Sequence, residues 1–113
     1  MIKIYHNPKC RKSRAGLLWL KQKTEDFEII QYFKAGITIE ELTNLFKMLD
    51  KKPFDMVRKQ EKVYKELYKK RTFSDEEWIE IISNNLKLLN RPIITKGKKA
   101  VWGDPAESID ELF

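Results

Sequence analysis

The sequence predicts an α/β domain. A β-α-β unit opens the chain, helices fill its middle, and a β-hairpin followed by a helix closes it. Three observations carry this reading. Ile2 to Tyr5 and Phe27 to Tyr32 have strand character and flank a segment of helical spacing. In the middle, two capping signatures each precede an apolar pattern of helical period. After Asn90 the period falls back to that of strands, with Gly97 at a turn. No repeat, low-complexity tract or Pro/Gly/Ser-rich linker divides the 113 residues. One domain over 1–113, with a helical insertion at about 38–89, is therefore expected.

Each element has its own local reason. Ile2 and Ile4 alternate with Lys3 and Tyr5, Asn7-Pro8 reads as a turn, and a helix runs from about Cys10 to Lys23. Leu17, Leu18 and Leu20 are read as its apolar face. A helix between two strands favours parallel pairing with a right-handed crossover. Thr38-Ile39-Glu40-Glu41 is a capping box, followed by Leu42, Leu45, Phe46 and Leu49 on one stripe. Pro53 opens a short helix, Phe54 to Arg58. Val63, Tyr64, Leu67 and Tyr68 suggest another helical piece. Ser74-Asp75-Glu76-Glu77 caps a further helix carrying Ile79, Ile82 and Leu86. Arg91 to Thr95 reads as a strand, Lys96-Gly97-Lys98 as a tight turn, and Lys99 to Trp102 as the hairpin partner. Asp104 is expected to cap a last helix, with Pro105 at its first position, Glu107 completing the box, and Ile109, Leu112 and Phe113 docking it. Trp19, Trp78 and Trp102 are read as packing residues.

Composition narrows the function. There is no apolar run long enough for a transmembrane helix, and the first residues lack a signal-peptide pattern. The net charge is +6, but cations alternate with acids, as in Lys59-Gln60-Glu61-Lys62. That interleaving marks solvated helix faces and argues against a nucleic-acid footprint. A mildly positive field does attract anionic substrates. One cysteine makes no internal disulfide and fits a reducing compartment, so the expected location is the cytoplasm.

That cysteine, Cys10, lies where a strand hands over to a helix. Helix starts leave backbone N–H groups unsatisfied, and the macrodipole there favours negative charge. Both lower a thiol pKa, and both make an anion pocket. Arg11, Lys12 and Arg14 add positive charge. A small buried hydrophobe is the common alternative for a lone cysteine, but the flanking Lys9, Arg11 and Lys12 oppose burial.

The order β-α-β, helical insert, β-β-α is the thioredoxin order. Within it, His6-Asn7-Pro8-Lys9-Cys10-Arg11-Lys12-Ser13-Arg14 resembles the opening motif of the glutaredoxin-linked arsenate reductases, the ArsC-like group of thioredoxin-fold proteins. Arg58-Lys59-Gln60-Glu61 with Tyr64 and Glu66-Leu67 is similar to that family's arginine-bearing segment. Asn90-Arg91-Pro92-Ile93-Ile94 is similar to its second arginine and the proline that follows, which is cis in thioredoxin-like folds. Gly103-Asp104-Pro105-Ala106-Glu107 resembles its C-terminal turn and helix. The resemblance runs over nearly the whole chain.

It implies a thioredoxin-like three-layer α/β fold with a mixed sheet. It implies that the Cys10 thiolate attacks arsenate or a related oxyanion, with Arg58, Arg91, His6, Ser13, Arg14 and Pro92 around the substrate. No bound cofactor is implied; glutathione and glutaredoxin would be the electron donors. Guanidinium donors suit a tetrahedral oxyanion. His6 either hydrogen-bonds the thiol region or orients the loop, and Ser13 either bonds the thiolate or satisfies backbone donors. The same family holds Spx-like regulators that bind RNA polymerase, many with a Cys-x-x-Cys switch. Here the fourth position is Ser13, as in the reductase branch. A thiol-disulfide reductase is the third reading. Where the reductases carry a third arginine this chain has Asp104, so an anion site here would draw on Lys98, Lys99 or Arg14.

Overall fold

Two neighbours of β1 (Ile2–Tyr5) decide the character of the sheet. β2 (Glu28–Ile30) runs parallel to it, with Lys3 opposite Glu28 and Tyr5 opposite Ile30. β3 (Ile93–Lys96) runs antiparallel on its other side, with Ile4 opposite Ile94. β4 (Lys99–Trp102) completes a mixed sheet of order β2-β1-β3-β4. The parallel pair follows from α1 (Arg11–Lys23), which carries the chain back between the two strands. β4 runs antiparallel to β3 because the two are joined by the tight turn at Gly97, whose φ of 60° suits a residue without a Cβ.

The structure, a computed structural model, describes residues 1–113. They form two compact units, Met1–Ala35 with Arg91–Phe113, and Gly36–Asn90. No helix is long and apolar enough to cross a membrane.

In the first unit Ile4, Leu20, Ile94, Ile109 and Leu112 form a core, with Ile2, Leu17, Trp19, Phe27 and Val101 against it. The face that α1 buries is Ser13, Gly16 and Leu20, whereas Leu18 is 63% exposed. A helix turns about 100° per residue, so Leu18 stands about 200° from Leu20 and leaves the stripe. Gly16 is required by a close approach: a Cβ there would stand 2.5 Å from Pro92 Cγ. β2 is shorter than the sequence predicts, because Tyr32 turns inward, fully buried, and begins α2 (Tyr32–Ala35). β3 begins at Ile93, leaving Arg91 and Pro92 outside the ladder.

The chain ends in a 3₁₀ helix, Ala106–Leu112, with Pro105 itself in the cap position at ψ 157°. Asp104 is thus one residue too early to cap; its carboxylate pairs with Lys12 Nζ at 3.1 Å. Ile109 and Leu112 dock the helix, but Phe113 is half exposed beneath Lys96 Nζ. Trp19 Nε1 donates to Asp110 Oδ1 at 2.8 Å, tying α1 to this last helix.

In the second unit α3 (Ile39–Leu49) starts where Thr38 Oγ1 accepts from the Glu41 N–H, and it buries Leu42, Leu45, Phe46 and Leu49. A 3₁₀ turn covers Pro53–Met56; beyond it Val57 bridges to Leu89, and the predicted helix to Arg58 ends early. Tyr64–Tyr68 form a π-helical turn. α4 (Asp75–Asn84) has a complete Ser74–Glu77 capping box, while Leu86 belongs to a separate 3₁₀ turn, Leu86–Leu88. Phe54, Tyr64, Tyr68 and Phe73 surround the buried Trp78.

Candidate active site

Cys10 is the N-cap residue of α1, with extended backbone at φ −99° and ψ 125°. The loop that delivers it from β1 is tied at almost every residue. His6 N–H donates to Ile30 O at 2.9 Å, and Cys10 N–H donates to Asn7 O at 3.0 Å. Lys9 N–H donates to Asn7 Oδ1, and Asn7 N–H donates to Ser13 Oγ at 3.0 Å. Arg14 Nη1 donates to Pro8 O at 2.9 Å.

The Cys10 thiol is half-buried. Burial alone would push its pKa up. The Ser13 backbone N–H, the Arg91 guanidinium by hydrogen bond and by charge, and the Lys12 backbone N–H together outweigh that, and the pKa lies below its ordinary value. Lys12 and Ser13 are the second and third residues of α1, the positions whose N–H groups a helix cap normally receives.

Ser13 therefore lowers the thiol pKa through its backbone N–H. Its hydroxyl accepts from Asn7 and is hydrogen-bonded to His6 Nδ1 at 2.7 Å. The His6 ring is only 5% exposed. Its pKa is lowered, first by burial, then by the charges of Arg14 and Lys21, against a Ser13 backbone hydrogen bond that raises it. Its bond to the Ser13 hydroxyl ties the end of β1 to the first turn of α1.

Arg91 is 8% exposed and precedes a cis peptide bond to the fully buried Pro92. Its carbonyl accepts from Trp102 Nε1 at 3.3 Å, and its guanidinium lies 5.6 Å from the Phe33 ring centroid. Cys10, Ser13, His6, Arg91 and Pro92 thus come together in the first unit. Arg14 is exposed, and its guanidinium is engaged by the loop carbonyl of Pro8. Lys98 and Lys99 sit at the hairpin turn, at the end of β3 away from Arg91, because the hairpin reverses there. Arg58 belongs to the second unit, where its Nε donates to Glu61 Oε2 at 3.1 Å. Phe33 was not flagged by the sequence; an aromatic in a four-residue helix carries no periodicity to mark it. No group of His, Cys, Asp or Glu side chains is gathered to hold a metal.

Residues 5–112 match the model of the ArsC family. The chain belongs to the ArsC family. It is 35% identical over 113 residues to the uncharacterized protein YfgD of Escherichia coli, an alignment covering 98% of this chain and 95% of that one. It is 33% identical to a Neisseria meningitidis protein named arsenate reductase, over 99% of this chain and 97% of the relative. The solved arsenate reductase from Vibrio cholerae superposes with a TM-score of 0.93 at 33% identity, covering 99% of this chain and 97% of the other. The α/β, thioredoxin-like class expected from the element order is the fold this ArsC chain has.

Proposed function

We propose that this ArsC-family chain is an arsenate-reductase-like oxidoreductase that uses Cys10 as its single protein sulfur. One observation carries the reading: Cys10 is the N-cap residue of α1, and the Ser13 and Lys12 backbone N–H groups and the Arg91 guanidinium lower its thiol pKa against the effect of burial. The thiolate is the nucleophile in such chemistry.

The Cys10 thiolate attacks arsenic in arsenate; an S–As bond forms, and one oxygen leaves as water after taking up protons. A glutathione thiolate then forms an S–S bond to Cys10 as the S–As bond breaks. That electron pair stays on arsenic, which passes from As(V) to As(III). A glutaredoxin thiolate removes glutathione from the mixed disulfide and returns the Cys10 thiolate. The second electron-donating sulfur comes from outside, which suits a chain with one cysteine. Arg91 stabilises charge developing on the arsenic oxygens. The family motif implies the same role for the arginine at the position of Arg58.

Turnover with arsenate, glutathione and glutaredoxin tests this, comparing wild type with Cys10→Ser. Loss of activity in the variant is expected, and retained activity eliminates the mechanism. An inactive wild type whose thiol still reduces small disulfides would move the assignment to a thiol-disulfide reductase.

A further inference from the structure

Arg91 acts on the Cys10 thiol by hydrogen bond and by charge, so the place of its guanidinium matters. Its backbone is fixed by the Trp102 Nε1 hydrogen bond and by the buried Pro92 that follows. The head group lies beyond several rotatable bonds, so the groups packed on it help set where it points. The aromatic face that meets it belongs to Phe33, 5.6 Å from guanidinium carbon to ring centroid. Phe33 is in turn held by the ring of Tyr32, at 4.8 Å and 32°. Tyr32 is fully buried, so the platform is anchored in the fold, while Phe33 remains 41% exposed. A singly exposed phenylalanine is ordinary. One laid under the arginine that hydrogen-bonds the only thiol has a stated effect, because the negative face of the ring attracts the cation.

We propose that Phe33 is a positioning residue that holds the Arg91 guanidinium against the Cys10 sulfur. This deepens the reading above, since it concerns the same thiol, but its test needs no substrate. Without the aromatic face the guanidinium samples orientations away from sulfur, and the thiolate loses part of its partner. A purely structural Phe33 would alter stability and leave the thiol titration alone.

The experiment is the pH titration of Cys10, read by thiolate absorbance and by iodoacetamide alkylation, in the full chain. Phe33→Leu is expected to raise the thiol pKa by up to about half a unit, the size of one partly exposed cation–π contact. Phe33→Trp, with the stronger face, is expected to titrate at or below wild type. On an Arg91→Ala background Phe33→Leu is expected to add nothing. The proposal is overturned if Phe33→Leu titrates with wild type, or if its shift survives unchanged in Arg91→Ala. Should Phe33→Leu fail to fold, Phe33→Tyr and Phe33→Met decide: Tyr at the wild-type value with Met raised supports the restraint, and equal values overturn it. A Phe33 effect in a protein inactive on arsenate would sink the substrate assignment alone.

Discussion

Gly16→Ala sets two effects of opposite sign against each other. In a helix interior alanine is favoured over glycine by about 1 kcal/mol, so on propensity alone the change stabilises α1. The structure says otherwise. The new methyl would stand 2.5 Å from Pro92 Cγ and 3.4 Å from the Gly103 carbonyl oxygen. Carbon atoms settle at about 3.5–4.0 Å, so roughly 1 Å of overlap must be relieved. The proline ring has nowhere to go: Pro92 is fully buried, and Pro92 Cγ already lies 3.1 Å from where a Cβ on Gly103 would stand. Overpacking of this kind costs about 1–3 kcal/mol, and the confined ring puts this case toward the upper end. After the propensity gain the net loss is about 1–2 kcal/mol. For a domain of this size that lowers Tm by about 4–8 °C. Thermal unfolding followed by circular dichroism reads it, with Leu18→Ala, on the exposed face of the same helix, expected within about 0.5 kcal/mol of wild type. A Gly16→Ala protein as stable as wild type, or more so, would mean that α1 does not press on Pro92 and that the reasoning fails.

Two further outcomes are expected. The folded-state pKa of His6 lies below its unfolded value, so the unfolded chain binds more protons between the two. That stability is complete above the unfolded value and is lost as pH falls through the folded one. His6→Gln, which retains a partner for Ser13, is expected to gain on wild type in urea melts as pH drops from 7.5 toward 5, about one to two units either side of the ordinary histidine value; a constant difference across that range would refute it. Asp104→Asn releases Lys12 from its 3.1 Å ion pair. The half-exposed pair contributes at most about 1 kcal/mol to stability, but the altered local charge should raise alkylation by anionic iodoacetate over neutral iodoacetamide about twofold at low salt. An unchanged ratio would show that Asp104 has no electrostatic reach to the thiol.

Much of this was legible in the sequence because the signals were local. The Ser74–Glu77 box formed in both directions, and Gly97 took its positive φ at the hairpin turn. Cys10 fell at the helix start because the strand period ended and the helical one began on either side of it. What was misread depended on partners distant in sequence. Tyr32 looks like strand by its residue type, yet it is drawn fully inside to start a short helix. Asp104 has the chemistry of a cap, yet Pro105 takes that place and Lys12, far earlier in the chain, takes the carboxylate. For Ser13 two readings stood side by side, and its hydroxyl takes the one in which it satisfies a backbone donor: it accepts from the Asn7 N–H and pairs with His6. Leu18 shows that a run of leucines needs its angular phase counted before all are assigned inward.

The ties along residues 6–14 have a kinetic consequence. With Asn7, Pro8, Lys9, Cys10 and Arg14 each already bonded within the segment, a charged reactant arriving there meets a loop whose shape is set before contact. Capture should need no ordering step, so association would be governed by encounter and ionic strength, and a fall in rate with added salt would be its visible trace.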